Sequence, residues 1–193
     1  MTVLYIKPRK EKGYLTVGIK KNEEKVALTL NEKEYYSLGP FLVGDTLVQD
    51  TYDELVLCDM TFRARKKALN ILAYGDNSKN RLLYKLMRAD IRRDVAERVV
   101  SEMEKRGYLD DKRQIEREVF RCYEKLFGPI KIISRLHGKG YKTSDIQTVM
   151  NSLQKSGQID FELSKQTLLD RAKNDGLECE EIKKLLYKYG YIV

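Results

Sequence analysis

The chain has 193 residues, 42% hydrophobic and 34% charged, and its 37 Lys and Arg against 29 Asp and Glu give a formal net charge of +8. That composition describes a soluble globular protein able to build a core in one or two domains, and it excludes disorder along the whole chain. No apolar run approaches the roughly 18 residues of a membrane span, and Met1 to Lys10 carries neither an apolar signal core nor a small-residue cleavage site, so the cytoplasm is the expected location.

Val3 to Ile6, Tyr14 to Ile19 and Lys25 to Leu30 are short β-branched and aromatic runs. The turn formers Lys12-Gly13 and Lys21-Asn22 between them predict a small antiparallel meander. Asn31 is placed to cap a short helix through Ser37, which Gly39-Pro40 ends, and Gly44-Asp45 marks a further turn. Thr51-Tyr52-Asp53-Glu54 has the form of a capping box and predicts a helix from about Tyr52 to Asp59.

From residue 61 the apolar period becomes helical. Ala64, Ala68, Ile71 and Leu72 form one stripe, with Arg63, Lys66 and Lys67 on the far side. Ser78 is the expected cap of a second helix carrying Leu82, Leu83 and Leu86. A third helix carries Ala96, Val99, Val100 and Met103 and stops at Gly107. This three-helix unit recurs at a shift of 50 residues without a gap from 78 to 160. Leu82, Leu83 and Leu86 fall on Ile132, Ile133 and Leu136; Ala96, Val99, Val100 and Met103 fall on Ile146, Val149, Met150 and Leu153; Gly107 falls on Gly157 and Asp110 on Asp160. The first helix of this second unit is expected from about Lys112 to Phe127, and Pro129 suits the start of the next. A third, shorter copy aligns Ser164, Leu168, Leu169 and Ala172 with Ser78, Leu82, Leu83 and Leu86, and Gly190-Tyr191-Ile192 with Gly107-Tyr108-Leu109. On that alignment the copy lacks the first helix and one turn of the last.

The charge is unevenly placed. Basic and acidic side chains number 8 and 10 over residues 1–60, 13 and 7 over 61–110, 10 and 6 over 111–160, and 6 and 6 thereafter. A positive field confined to the middle hundred residues points to a polyanion or an acidic partner.

No catalytic constellation accompanies it. Cys58, Cys122 and Cys179 are far apart and form no CxxC pair, and His137 is the single histidine, so no metal site or cofactor is expected and the thiols read as buried and structural. His137 reads as a partly buried structural imidazole. Gly138-Lys139-Gly140 lacks the rest of a phosphate loop and reads as a turn between helices. Asp110-Asp111 reads as a helix N-cap rather than a metal or proton-sharing pair. Tyr74, Tyr84, Tyr108, Tyr123 and Tyr141 lie in the basic region, where aromatic rings can stack on bases. Packing between helices with the hydroxyl in water is the simpler reading.

Three stretches carry a family likeness: Arg65-Lys-Lys-Ala-Leu-Asn-Ile-Leu-Ala-Tyr74 with the Ser78 helix after it, Gly107-Tyr-Leu-Asp-Asp111, and Phe127-Gly-Pro-Ile-Lys-Ile-Ile-Ser-Arg-Leu-His-Gly-Lys-Gly-Tyr141. In this order and spacing, from about Arg63 to Asp160, the chain resembles the RecX family, bacterial regulators of the RecA recombinase. It departs from the family after Asp111, where Lys112-Arg113-Gln114-Ile115-Glu116 replaces the usual aromatic and alanine. The resemblance and the periodicity together imply a mainly α fold of tandem three-helix modules, two complete and a third abridged, after a small β-rich N-terminal segment. The implied boundaries are 1–60, 61–110, 111–160 and 161–193.

The resemblance further implies a monomeric, non-enzymatic regulator. It would bind the RecA filament and its single- or double-stranded DNA, and restrain ATP hydrolysis, strand exchange and filament growth in recombinational DNA repair and the SOS response. The basic side chains expected to form that surface are Arg63, Lys66, Lys67, Lys79, Arg81, Lys85, Arg88, Arg92 and Arg93 in the first module and Lys131, Arg135, Lys139 and Lys142 in the second. A rival reading takes the tight turns at Ala89-Asp90 and Gly138-Lys139-Gly140 as helix-turn-helix elements of an autonomous DNA-binding protein.

Overall fold

The computed structural model describes residues 1–192. Three strands, β1 (Thr2–Pro8), β2 (Tyr14–Lys21) and β3 (Glu24–Asn31), are followed by nine helices among the described residues: α1 (Glu32–Ser37), α2 (Gln49–Ala73), α3 (Lys79–Met87), α4 (Arg93–Lys105), α5 (Asp111–Tyr123), α6 (Pro129–Gly138), α7 (Thr143–Lys155), α8 (Phe161–Asn174) and α9 (Cys179–Tyr189). The chain divides into two compact units, Met1–Tyr74 with Leu83–Glu102, and Gly75–Leu82 with Met103–Val193.

In the first unit the strands form the expected antiparallel meander in the order β1-β2-β3. Alternation sends Val17 and Ile19 of β2 and Leu28 and Leu30 of β3 into one core with Val3, Tyr35, Phe41, Leu47, Tyr52 and Leu55. A register shift between Val3 and Tyr5 lays the Tyr5 ring over Gly18, where any Cβ would come within 2.2 Å of it. Asn31 and Glu34 form the capping box of α1.

Helix α2 corrects one expectation. The two helices read at 52–59 and beyond 61 are a single helix of 25 residues capped at Val48, and Thr51 plays no capping role. Between Cys58 and Phe62 there is neither Gly nor Pro to interrupt it, and Thr61 returns its hydroxyl to the Leu57 carbonyl at 2.8 Å. The buried Asp59 accepts the Thr29 amide of β3 at 3.0 Å and pairs with Arg63 at 2.7 Å, so a carboxylate inside the helix is satisfied.

The second unit holds a core of Ile115, Val119, Cys122, Ile132, Leu136, Tyr141, Ile146, Val149, Met150, Leu153, Ile159, Phe161, Leu168, Leu186 and Tyr191. Its helices keep the 50-residue register of the sequence. Helix α6 begins 50 residues after α3, and α7 spans 143–155 against 93–105 for α4. Gly107 and Gly157 hold positive φ just beyond the last helix of each copy, as expected.

The third copy is where the sequence alignment fails. Helix α8 starts 50 residues after α5 behind an equivalent Asp160 cap, and α9 starts 50 residues after α6. The copy therefore supplies the first and second helices of the unit, and Gly190-Tyr191 repeats Gly140-Tyr141, not Gly107-Tyr108. Ser164, Leu168, Leu169 and Ala172 matched the α3 stripe only because both are inward faces of amphipathic helices.

Candidate functional site

The second helix of every copy ends in the same way. Asp90, Gly140 and Gly190 take φ of +57°, +89° and +85°, and the next residue, Ile91, Tyr141 or Tyr191, donates its amide to the carbonyl of Leu86, Leu136 or Leu186. This is a Schellman motif, in which a residue at positive φ turns the chain back to satisfy the last carbonyls of a helix.

Two of these turns receive a helix N-terminus. Ser78, capping α3 through its bond from the Arg81 amide, donates its hydroxyl to the Lys139 carbonyl at 3.0 Å, and Asn80 donates to the Gly140 carbonyl. Fifty residues on, the Gly128 amide donates to Tyr189 at 2.7 Å and the Ile130 amide to Gly190 at 3.3 Å. Each contact sets the positive end of one helix dipole on the negative end of another. The glycines are required here, since a Cβ on Gly140 would meet Ser78 Oγ at 2.7 Å and one on Gly190 would meet the Lys131 backbone nitrogen at 2.4 Å.

The Ser78 contact closes one wall of a cavity of about 230 Å³. Asp76, Ser78 and Arg81 form that wall, Lys139 and Tyr141 a second, and Gln114, Arg117, Glu118 and Arg121 of α5 the third. Spacings of three and four residues put the α5 members on one helix face. Four cations meet two carboxylates. Arg117 pairs with Asp76 at 2.8 Å, and Glu118 is shared by Lys139 at 2.6 Å and Arg121 at 3.1 Å. Burial alone would raise the Glu118 carboxyl, but Lys139 and Arg121 outweigh it and hold it below the ordinary carboxylate range. Tyr141 donates to Gln114 Oε1 at 2.8 Å, and burial pushes its hydroxyl up to about 12, so it remains a donor.

Asp110 caps α5 by accepting the Arg113 amide at 3.0 Å, as the sequence indicates. Asp111 instead accepts the Lys79 amide at 3.1 Å and so caps α3. Burial raises its carboxyl despite that bond and the nearby Lys79 charge.

No family model matches the chain. Regulatory protein RecX of Clostridioides difficile (strain 630) is 23% identical over 178 residues, covering 88% of this chain and 81% of that protein. A crystal structure of regulatory protein RecX superimposes with a TM-score of 0.72 at 19% identity, over 99% of this chain and 94% of its own. RecX from Lactobacillus salivarius gives 0.56 at 21% identity, over 69% and 90%. The chain shares the fold of these RecX structures. Its fold is mainly helical behind a three-stranded sheet, as the resemblance implied.

The thirteen basic residues singled out in the sequence fall into both units. In the first, Arg63 and Lys67 line a depression with Met60, Ala89, Asp90 and Ile91. Lys66 approaches Glu11 at 3.8 Å, Arg92 and Arg93 pair with Asp94 and Glu97, and Arg88 lies over the Tyr84 ring. Lys85 lies on α3. In the second unit only Arg81 and Lys139 come together, in the cavity. Lys79 pairs with Glu104, Lys131 sits over the Phe127 and Tyr189 rings and donates to the Lys188 carbonyl, and Arg135 and Lys142 are exposed on α6 and ahead of α7. Arg117 and Arg121 escaped the sequence reading, although their spacing from Gln114 and Glu118 marks one face of α5.

Three smaller expectations are corrected. His137 is exposed, beside Ile130, Ile133, Ser134 and Thr143. Cys122 is buried and Cys58 partly so, but Cys179 is exposed in the first turn of α9; burial raises both of the other thiols, Cys58 to about 11. Tyr141 and Tyr123 pack inward, whereas Tyr74 is 94% exposed and Tyr84 and Tyr108 are also exposed. Among the described residues no helix is long and apolar enough to cross a membrane, and no group of three or more His, Cys, Asp or Glu is placed to hold a metal ion.

Proposed function

We propose that this chain binds the RecA recombinase on its DNA filament and restrains ATP hydrolysis, strand exchange and filament growth, acting by binding alone. The observation that carries this reading is the confinement of the excess positive charge to residues 61–160, the span of the first two helical repeats of a RecX-family fold. A filament offers DNA phosphate and protein carboxylates to such a surface. Arg92 and Arg93, 62% and 72% exposed, are held only by surface ion pairs, which are worth little and exchange readily for a partner's charges.

The test is the DNA-dependent ATPase and strand exchange of RecA with the purified protein in stoichiometric excess. Both activities fall if the reading holds, and unchanged rates overturn it. Charge reversal at Lys66, Lys67, Arg92 and Arg93 weakens the effect most at low salt, and the difference from wild type shrinks as salt rises. Against the helix-turn-helix reading, the exposed Lys142, Thr143 and Gln147 around the start of α7 suit phosphate contacts better than base readout. Sequence-selective binding to duplex DNA without recombinase would favour it.

A further inference from the structure

We infer that the cavity between α5, the first turn of α3 and the turn after α6 is a phosphate-binding pocket, and that its ligand is a backbone phosphate of a DNA strand. Arg81, Arg117, Arg121 and Lys139 line it together with two carboxylates, so its walls carry a net charge of two positive units. The carboxylates are already shared out: Asp76 takes one guanidinium nitrogen of Arg117, and Glu118 takes one nitrogen each from Arg121 and Lys139. A guanidinium has five N–H donors, so most donor capacity on Arg117 and Arg121 is uncommitted. Among the described residues Arg81 makes no ion pair at all. Several guanidinium forks around a small polar space match the oxygens of a phosphate better than any neutral ligand.

The wall that brings Arg81 in is fixed by the Ser78 and Asn80 bonds to Lys139 and Gly140, so the cations are assembled before any ligand arrives. The corresponding position of the first repeat lacks this arrangement, because Ala89 and Ile91 stand where Lys139 and Tyr141 do. The pocket therefore forms where the first repeat meets the second, and the turn after α3 has no counterpart of it. The proposal rests on the filament reading for the identity of the strand. Its readout uses no recombinase, so either can fail alone.

The experiment is fluorescence anisotropy of a labelled oligo-dT strand across a salt series, with wild type, Arg81→Gln, Arg117→Gln/Arg121→Gln and Glu118→Gln, each checked for folding by circular dichroism. Arg117→Gln/Arg121→Gln is expected to weaken binding at least roughly tenfold and to reduce the slope of log K against log salt by about 1.4, two phosphate contacts at about 0.7 each. Arg81→Gln breaks no internal ion pair, so its loss of binding cannot be ascribed to misfolding. Glu118→Gln removes a competing carboxylate and tightens binding. Oligonucleotide affinities and slopes unchanged in all three variants overturn the proposal. If inorganic phosphate raises the melting temperature of wild type but not of Arg117→Gln/Arg121→Gln while strand binding is unchanged, the source is free phosphate and the strand assignment falls.

Discussion

The Gly128 amide donates to the Tyr189 carbonyl at 2.7 Å, fifty residues after Ser78 makes the corresponding contact with Lys139. One repeat thus meets the next through the N-terminus of one helix and the closing turn of another. The approach is close enough that the turn must lack a side chain.

Alanine at the turn glycines therefore separates two costs. Gly107→Ala meets nothing within 4 Å and should lose only the conformational term, about 1 kcal/mol. Gly140→Ala adds displacement of Ser78 and its hydrogen bonds, for about 2–3 kcal/mol in all. Gly190→Ala drives a Cβ against backbone at Lys131 and should cost most, about 3 kcal/mol or more. Urea unfolding of the three variants checks the order; equal losses would remove the docking argument.

Tyr141 and Gln114 form a buried pair. Tyr141→Phe leaves the amide oxygen without its donor and should cost about 1–3 kcal/mol, whereas adding Gln114→Leu should recover part of that loss. A double-mutant cycle in urea measures the coupling.

Glu118 gives the acid response a sign. Its folded carboxyl lies below the unfolded value, so it adds stability above the unfolded value of 4.5, and this is lost as pH falls through the folded value. Glu118→Gln should flatten the loss of stability below pH 4.5, measured by thermal unfolding across pH. An unchanged acid limb would show that Lys139 and Arg121 do not hold this group.

In the first unit Arg65 ties three elements together, reaching Glu102 of α4 at 2.8 Å and the Tyr14 hydroxyl of β2 at 3.0 Å from α2. A lysine has no fork to serve both, so Arg65→Lys should cost about 1–2 kcal/mol and Arg65→Met about 3 kcal/mol, read by urea unfolding.

What was legible in the sequence was whatever is written locally. The meander followed from Val17, Ile19, Leu28 and Leu30 alternating between turns, α6 from Pro129, and α4 from its stop at Gly107. The start of α2 was not legible, because Thr51-Tyr52-Asp53-Glu54 has the letters of a capping box while the helix already begins at Gln49. The register of the third repeat is hidden because apolar stripes are interchangeable; the Asp160 cap and the Gly190-Tyr191 pair are the discriminating marks. The cavity was the least legible, since Arg81, Arg117 and Lys139 lie on three elements and meet only once Ser78 has docked.

Asp90 stands where the later repeats have Gly140 and Gly190, and it carries a Cβ on the face that those glycines leave bare. The series is therefore directional in how it can be lengthened. A duplicate of residues 111–160 inserted after Asp160 would bring its own Gly128 and Gly140 and join the stack at both sides. One inserted ahead of the first repeat would meet the Asp90 side chain, and would need Asp90→Gly before it could seat.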